Sequence, residues 1–408
     1  MLMDVFVARQ PIFNKKRQLF GYELLFRSGM NNSFPDLDGD IATSSLLSSS
    51  FFSFGIEKIA GGRKSFINFT EALLLKGTPA LFPREIIMVE ILESVRPTPE
   101  MLAACRSLKS QGYTLALDDF VFDESYAELL SMVDIVKIDF QSDQKQNLHR
   151  LKDWQRYGSC KFLAEKIETY AEFQEALALG FSLFQGYFFA KPEVLRNRDI
   201  PPNKLTSLRL ISEIHQREFN VDALEALIGR DVAVSYKLLK YLNSAYFSRL
   251  APLRSIRQAI AYLGERGVRL FVSLIATSQL ADNKPDELVR LSIIRARFLE
   301  LLGQHTGGQN DGELFLLGLF SLIDAMLDNP MDHLVKRLPV GDQVRQALVD
   351  RGGPLAPYLH FVESLERARW EEVEALLRRF GLNEEATGDM YLEAIGWADC
   401  FETSTGSQ

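Results

Sequence analysis

The sequence predicts a (β/α)8 barrel with one antiparallel strand, followed by an all-helical bundle. Three observations support this fold class. Eight short apolar segments of strand length alternate with helical patterns as far as Pro192, and eight is the number of strands that closes such a barrel. The adjacent prolines Pro201 and Pro202 then mark a linker. Beyond them, apolar residues recur at helical spacing without a convincing strand pattern.

The eight predicted strands are nearly continuous apolar runs, as expected of parallel strands that are covered on both faces. They are rich in β-branched and aromatic residues. The first two runs are joined through Lys15–Gln18, which predicts a hairpin and therefore one antiparallel strand. The runs are Val5–Ala8, Tyr22–Phe26, Ser65–Phe69, Ile86–Ile91, Thr114–Leu117, Ile135–Ile138, Lys161–Ala164 and Leu183–Phe188.

The second half of the chain reads as helical. Leu205, Leu208, Ile211 and Ile214 recur every third residue, which places them on one helix face. Asp231 is a candidate N-cap for a helix over residues 232–242, and glycines 264 and 267 punctuate the following helices. We therefore expect two domains, one over residues 1–199 and one over residues 200–408.

Composition limits the classes of function. The chain has 408 residues and a net charge of −8, so charge gives no support for binding a nucleic-acid polymer. Its three cysteines are far apart, which argues against a disulfide framework and a structural zinc site. The first ten residues lack the apolar segment of a signal peptide, and no apolar run is long enough to span a membrane. A cytoplasmic protein is the expectation.

Polar side chains stand in or directly after seven of the eight predicted strands, although such strands are expected to be buried. In a barrel of this kind the carboxyl ends of the strands converge at one end, where active sites lie. Carboxylate and amide oxygens suit a hard cation such as Mg²⁺ or Mn²⁺, and two such ions roughly 4 Å apart serve phosphoryl transfer. The residues are Glu23, Asn68, Glu90, Asp118, Asp119, Lys137, Glu165 and Gln185.

Each of these residues has a structural explanation when it is taken alone. A carboxylate near a strand end is usually a helix cap, a loop residue or half of a salt bridge. Asp139 could pair with a basic side chain, and Glu93 could be an exposed residue at a helix start. A purely structural role is harder to accept for the whole set than for one residue. It remains open, because an active site that has lost its activity can persist as a binding surface.

The ordered motifs around these residues resemble those of the EAL family of cyclic di-GMP phosphodiesterases. Gly21–Arg27 resembles the signature segment, with Leu24 in place of the name-giving alanine, and Asp118–Phe120 resembles the paired-aspartate motif. The resemblance covers about the first half of the chain. It implies metal binding by Glu23, Asn68, Glu90, Asp118 and Asp119, catalysis by Lys137 and Glu165, substrate contacts by Gln10, Arg27 and Gln185, and loop support by Glu93.

Two departures from the family pattern bear on activity. Active members carry Gly-Thr-Gly after the paired aspartates, whereas this chain has Val121-Phe122-Asp123. Glycine permits backbone conformations that valine and phenylalanine resist. Lys166 replaces another glycine, and its charge next to Glu165 could compete with a cation. The resemblance therefore supports the fold more strongly than it supports catalysis.

The second half resembles the HDOD domain, an HD-like helical bundle without the metal ligands of HD phosphohydrolases. The similarity lies in segments 224–231, 236–247 and 256–264, of which Asn243-Ser244-Ala245 is the most recognisable. The chain contains no His-Asp dipeptide. An EAL-like domain followed by an HDOD domain resembles bacterial signalling proteins of the YuxH-like group. The resemblance implies that this domain binds a protein partner.

Three functions follow, in this order of preference. The first is a cyclic di-GMP regulator whose barrel binds the dinucleotide and a divalent metal with weak or lost hydrolysis. The second is an active phosphodiesterase that yields the linear dinucleotide. The third is a scaffold that binds no nucleotide, for which Lys166 or Phe122 would fill the pocket between Glu23 and Asp118. The EAL resemblance implies a homodimer, and the sequence leaves the oligomeric state open.

Overall fold

A computed structural model describes residues 7–26, 55–121, 123–141, 159–191, 202–214, 221–229, 232–244, 252–281, 284–307 and 311–405. The chain divides into two compact units. Met1–Phe188 and Glu366–Ala368 form the first, and Phe189–Leu365 and Arg369–Gln408 form the second. The boundary expected between residues 199 and 200 falls in segment 192–201, which lies outside the described residues, so it stays a prediction.

The first unit is a closed barrel of eight strands in sequential order. Strand β1 is antiparallel to both β2 and β8, and the remaining neighbours are parallel. The predicted barrel with one antiparallel strand is confirmed. The strands are β1 (Val7–Asn14), β2 (Leu19–Phe26), β3 (Lys64–Phe69), β4 (Ile87–Ile91), β5 (Thr114–Leu117), β6 (Ile135–Asp139), β7 (Lys161–Glu165) and β8 (Leu183–Gln185).

The hairpin between β1 and β2 is present, but β1 is longer than predicted. The side-chain Oδ1 of Asn14 accepts hydrogen bonds from the backbone N–H groups of Lys16 and Gln18, which holds the turn. The apolar pattern predicted a strand over Val5–Ala8, because polar Gln10 and Pro11 interrupt it. Strand β1 continues to Asn14 since Ile12 and Phe13 pair with β8 and close the barrel.

Strand β8 is shorter than predicted, because the chain turns at Gly186. This glycine has a φ of 142°, and a Cβ there would lie 2.1 Å from the carbonyl oxygen of Ile167. The Ile167 N–H donates to the Gln185 oxygen, and the Phe188 N–H donates to the Ile167 oxygen. Residues Tyr187–Ala190 then form a 3₁₀ helix rather than the end of a strand.

Helices cover the barrel, and an apolar layer fills it. The helices of the first unit that lie wholly within the described residues include α1 (Glu71–Leu75), α2 (Pro99–Ser110), α3 (Ala127–Leu130) and α4 (Tyr170–Leu179). The amino-terminal half of the barrel interior packs Ile12, Phe66, Met88, Ala116, Ile135, Leu163 and Leu183 against one another, with Phe20 beside them. This layer leaves the carboxyl ends of β2–β8 for polar side chains.

The described part of the second unit contains helices and no strands. Leu208, Ile211 and Ile214 are buried, as their spacing predicts. Gly264, with a φ of 71°, interrupts the helix that begins at Ile256, whereas Asp231 lies outside the described residues. The helices are α5 (Pro202–Ile214), α6 (Val221–Gly229), α7 (Val232–Leu242), α8 (Ile256–Leu280), α9 (Asp286–His305), α10 (Asp311–Phe320), α11 (Ile323–Leu327), α12 (Met331–Leu334), α13 (Asp342–Val349), α14 (Ala356–Glu366), α15 (Trp370–Phe380) and α16 (Glu384–Thr405).

No helix within the described ranges combines the length and the apolar character that crossing a bilayer requires.

Candidate active site

Strand register brings the polar side chains of the barrel next to one another. Gln10 of β1 pairs with Glu23 of β2, and Asn68 of β3 pairs with Glu90 of β4. Because neighbouring strands are about 4.8 Å apart, paired residues that share a face are in contact distance. Of the predicted site residues, the structure buries Glu23, Asn68, Glu90, Lys137, Glu165 and Gln185.

Lys137 is the centre of this group. Its Nζ lies 2.7 Å from Asp118 Oδ1, 2.8 Å from Glu90 Oε1, 2.8 Å from Glu165 Oε1 and 3.3 Å from Glu23 Oε2. The Lys137 side chain is 1% exposed. Four carboxylates from four strands or strand ends therefore share one ammonium group. We call these five residues the carboxylate cluster.

Amide side chains hold Glu23 in its place at the edge of the carboxylate cluster. Gln185 Nε2 donates to Glu23 Oε2 at 2.6 Å and to Gln10 Oε1 at 2.9 Å, and Asn68 Nδ2 donates to Glu23 Oε1 at 3.2 Å. Both oxygens of Glu23 are thus engaged. Because β1 pairs with β2 and with β8, it brings Gln10 and Gln185 together although they are 175 residues apart.

The charges in the cluster are unbalanced. Burial raises the pKa of Glu90 and of Glu165 well above the usual range, and the charge of Lys137 only partly opposes this effect. Burial alone would lower the pKa of Lys137, but the four surrounding carboxylates raise it well above its ordinary value. One ammonium group cannot neutralise three buried carboxylates and the half-buried Asp118, so the site favours additional positive charge.

The side-chain oxygens at this site are chemically suited to bind a hard divalent cation. The buried Asn68 Oδ1, Glu90 Oε2 and Asp119 Oδ1 accept no hydrogen bond from the described residues, and such oxygens are ligands that Mg²⁺ and Mn²⁺ prefer. The geometry is centred on Lys137 instead: within the described residues, no three acidic, His or Cys side chains are placed to hold one ion together. Binding a cation would therefore require these side chains to rearrange around it.

The segment after β5 places the two aspartates differently. Asp118 contacts Lys137, whereas Asp119 has a φ of 38° and is not among the carboxylates that pair with Lys137. The Phe120 N–H donates to the Lys137 oxygen, which ties this segment to β6. Val121 is 56% exposed, and Asp123 caps the following 3₁₀ turn through the Ser125 N–H.

The remaining predicted site residues lie apart from the cluster or outside the described residues. Glu93 is exposed in the turn after β4, and no contact of its side chain is seen with other described residues. Phe122 and Arg27 fall on undescribed positions, so the expected phosphate contact of Arg27 stays a prediction. In the sequence, only the family resemblance marked Glu93 and Arg27 as functional residues.

Lys166 does not enter the carboxylate cluster. Its Nζ pairs with Asp139 Oδ2 at 2.6 Å, and its side chain is 57% exposed. The residue has a φ of 55°, a conformation that favours the glycine for which it substitutes. The expectation that Lys166 competes directly with a cation is not supported by this geometry, whereas the pairing of Asp139 with a basic side chain is confirmed.

Comparisons with known families agree with the two units. The model of the EAL domain matches residues 47–192, and the model of the HDOD domain matches residues 200–327. The segment around Glu23 precedes the first match, and strand pairing places it in the same barrel.

Two curated proteins are similar over nearly the whole chain. The cyclic di-GMP phosphodiesterase CdgJ of Vibrio cholerae is 40% identical over 97% of this chain and 93% of its own length. The uncharacterized protein YuxH of Bacillus subtilis is 37% identical over 97% of this chain and 98% of its own length. Among solved structures, a standalone EAL protein from Vibrio cholerae O395 is 28% identical, with a TM-score of 0.35, over 47% of this chain and 93% of its own.

Proposed function

Because this chain belongs to the family of two-domain proteins that join an EAL domain to an HDOD domain, we propose that it hydrolyses cyclic di-GMP with a divalent cation. One observation carries the proposal: Glu23, Glu90, Asp118 and Glu165 converge within 3.3 Å of Lys137 Nζ. A relative that is 40% identical along its length bears the name of a cyclic di-GMP phosphodiesterase. Lys166 pairs with Asp139, so it does not add a second ammonium group to the cluster.

The proposed cation ligands are oxygen donors in or directly after strands β2–β5. They are Glu23, Asn68, Glu90, Asp118 and Asp119, and their chemistry fits Mg²⁺ or Mn²⁺. A divalent cation in such a site lowers the pKa of bound water and stabilises charge on a phosphoryl group. The amide donors of Asn68 and Gln185 orient Glu23, so they contribute to the geometry of the site as well as to its charge.

Lys137 and Glu165 are the proposed catalytic pair. Water adds to one phosphorus of the dinucleotide, one P–O ester bond breaks, and the leaving oxygen takes up a proton, which yields the linear dinucleotide. Lys137 can donate hydrogen bonds to a phosphoryl oxygen or to water. Glu165, which lies 2.8 Å from Lys137 Nζ at the end of β7, is the carboxylate placed to accept a proton from water.

Gln10, Gln185 and Arg27 are the proposed substrate contacts. Gln10 lies beside Glu23 in the strand register and bonds to Gln185, so both side chains border the carboxylate cluster. Gln185 keeps one buried oxygen, Oε1, without a donor, and this oxygen can accept a hydrogen bond from a ligand. The assignment of Arg27 rests on the family resemblance.

The test of hydrolysis is product formation by the purified full chain. With cyclic di-GMP and Mg²⁺ or Mn²⁺, we expect the linear dinucleotide, and Glu23→Ala should reduce its rate by about 100-fold or more, as is usual when a metal-centre contact is lost. The matched control is Glu374→Ala on α15, which should keep the full rate. Turnover that survives Glu23→Ala would come from a contaminating enzyme and would contradict the proposal.

A second candidate is a regulator that binds the dinucleotide and hydrolyses it weakly or not at all. Two left-handed residues favour it: Asp119 and Lys166 have positive φ, and the backbone around the paired aspartates lacks the glycines of active members. Isothermal titration with cyclic di-GMP, with and without Mg²⁺, separates the candidates. Binding without turnover would support the regulator. If cyclic di-GMP does not bind at concentrations up to the high micromolar range, the scaffold is the function that remains.

The helical unit is proposed to bind a protein partner in a cytoplasmic signalling pathway. Its match to the HDOD domain supports this role. A homodimer through the barrel follows from the EAL resemblance. Sedimentation of the purified chain over a range of concentrations tests the dimer separately from catalysis, because a monomer with full turnover would refute only the dimer.

A further inference from the structure

A second concave site lies at the end of the barrel opposite the carboxylate cluster. It has a volume of about 350 Å³ and is bordered by the β1–β2 turn and the starts of β7 and β8. Lys161 begins strand β7, whereas Glu165 ends it, so the two sites are about 13 Å apart along the strand. The lining residues are Asn14, Lys15, Lys16, Gln18, Phe20, Lys161, Ser182 and Leu183. We call this cavity the basic pocket.

Among the described residues, the basic pocket gathers positive charge without a compensating acid. Within the described ranges, the ammonium groups of Lys15, Lys16 and Lys161 take part in no salt bridge. Asp134, which precedes the neighbouring strand β6, is already paired with Lys109. The pocket therefore attracts anions, although the chain as a whole carries a net charge of −8.

The floor of the pocket is apolar and rigid. Leu183 is buried in the barrel layer, and Phe20 packs against the same layer while keeping part of its ring accessible. Lys161 Nζ lies 5.9 Å from the centre of the Phe20 ring. The turn that carries Lys15 and Lys16 is held by the Asn14 side chain, so the lysines project from an ordered support.

This combination of lysines over an apolar floor matches one chemical class of ligand. Ammonium groups bind phosphate as point charges, and a volume of about 350 Å³ lies within the range of pockets for small molecules. We propose that the basic pocket binds a small phosphate-bearing anion, with the phosphate against Lys15, Lys16 and Lys161 and any apolar part of the ligand against Phe20 and Leu183. This proposal is independent of catalysis at the carboxylate cluster.

Calorimetric titration with adenosine 5′-monophosphate tests the proposal on the full chain. EDTA is present throughout, so that divalent cations do not recruit the nucleotide to the carboxylate cluster. We expect binding that the double variant Lys16→Glu and Lys161→Glu weakens by about tenfold or more, because two ammonium groups that attract the phosphate are replaced by carboxylates that repel it. Inorganic phosphate in place of the nucleotide distinguishes the two sources: tighter nucleotide binding indicates an organic phosphate, and equal affinities indicate the free ion.

The matched control is the double variant Lys240→Glu and Lys336→Glu, which makes the same charge change in the helical unit and should bind like the wild type. Equal weakening by both double variants would indicate a non-specific charge effect and would overturn the proposal, as would the absence of measurable binding. A second measurement needs no variant. Acetylation of the wild type, read by mass spectrometry, should be slowed by the nucleotide at Lys15, Lys16 and Lys161, and unchanged acetylation there would also overturn it.

Discussion

Lys137 shows how one residue organises a site through charge. It is buried in the barrel and pairs with carboxylates from β2, β4, β7 and the segment after β5. Buried ion pairs contribute little net stability when they form, but removing one partner leaves the other charges buried and unpaired. At this residue, stability and function therefore depend on the same contacts.

We predict that Lys137→Met lowers the free energy of unfolding of the barrel by about 3 kcal/mol or more in EDTA, because three buried carboxylates and the half-buried Asp118 lose their common partner. Urea unfolding measures the change. The control is Lys109→Met, which breaks a partly exposed pair with Asp134 and should cost about 1 kcal/mol or less. Equal losses in the two variants would contradict the role given to Lys137.

Lys166 provides a second prediction at this scale. Its side chain pairs with Asp139 and stays outside the carboxylate cluster, so Lys166→Gly should leave the affinity for Mg²⁺ within about twofold of the wild type. Glycine also relieves a left-handed conformation at a benefit of about 1 kcal/mol, which offsets the loss of the exposed pair.

Isothermal titration with Mg²⁺ measures this affinity, and Asp118→Asn, a change inside the cluster, serves as the comparison and should weaken binding. A strong gain in Mg²⁺ affinity in Lys166→Gly would show that Lys166 competes with the cation after all.

Among the elements, β1 and β8 decide which residues meet. The antiparallel β1 pairs with both of its neighbours and places Gln10 beside Glu23 and within reach of Gln185. A shift of one residue in this register would turn these side chains to the other face of the barrel. The turn at Gly186 ends β8 directly after Gln185 and so helps to hold that side chain at the cluster.

We predict that Gly186→Ala destabilises the barrel by about 3 kcal/mol, because its Cβ would collide with the backbone of Ile167 and its φ is unfavourable for alanine. Gly180→Ala is the matched control. Gly180 has a φ of 103° with no atom within 4 Å of the added Cβ, so it carries only the conformational cost, about 1 kcal/mol. Thermal unfolding of both variants measures the difference, and equal costs would show that contact with Ile167 is unimportant.

At the scale of the whole molecule, the net charge of −8 conceals two opposite sites in the barrel. Carboxylates crowd the end where the parallel strands finish, and lysines that pair with no described acidic residue border the basic pocket at the other end. An anionic dinucleotide approaching the carboxylate end would depend on a bound cation, whereas an anion at the opposite end would meet the lysines directly.

This charge distribution predicts which strands of the full chain Mg²⁺ protects from amide hydrogen exchange. Ligand binding stabilises the folded state that binds it, so we expect Mg²⁺ to slow amide hydrogen exchange in β2, β4 and β6 and in the segment after β5. The strand starts around Lys161 should change less, since they are about 13 Å away along the barrel. Hydrogen exchange read by mass spectrometry checks this, and uniform protection of both ends of the barrel would contradict a cation site at the carboxylate cluster.

The sequence alone determined the fold class and the candidate residues of the carboxylate cluster. Apolar runs of strand length alternating with helices leave few arrangements that bury every run, and polar residues such as Glu90 and Lys137 stand out because burial inside a strand is costly without partners. The strand bounds predicted from the sequence were wrong at the ends of β1 and β8. The first predicted strand, Val5–Ala8, was shorter than β1 because Gln10 and Pro11 break the apolar pattern. The last predicted strand was longer than β8 because nothing in that pattern marks the close approach of Gly186 to Ile167.

The contacts that give these residues their chemistry form when the chain folds and cannot be read from the sequence. Closure of the barrel joins Gln10 to Gln185, gathers four carboxylates on Lys137, and turns Lys166 toward Asp139. It also forms the basic pocket from three separate segments, whose charges look ordinary along the chain. The physical reason is that electrostatic interactions depend on distance and burial in space, and neither is contained in the order of residues along the chain.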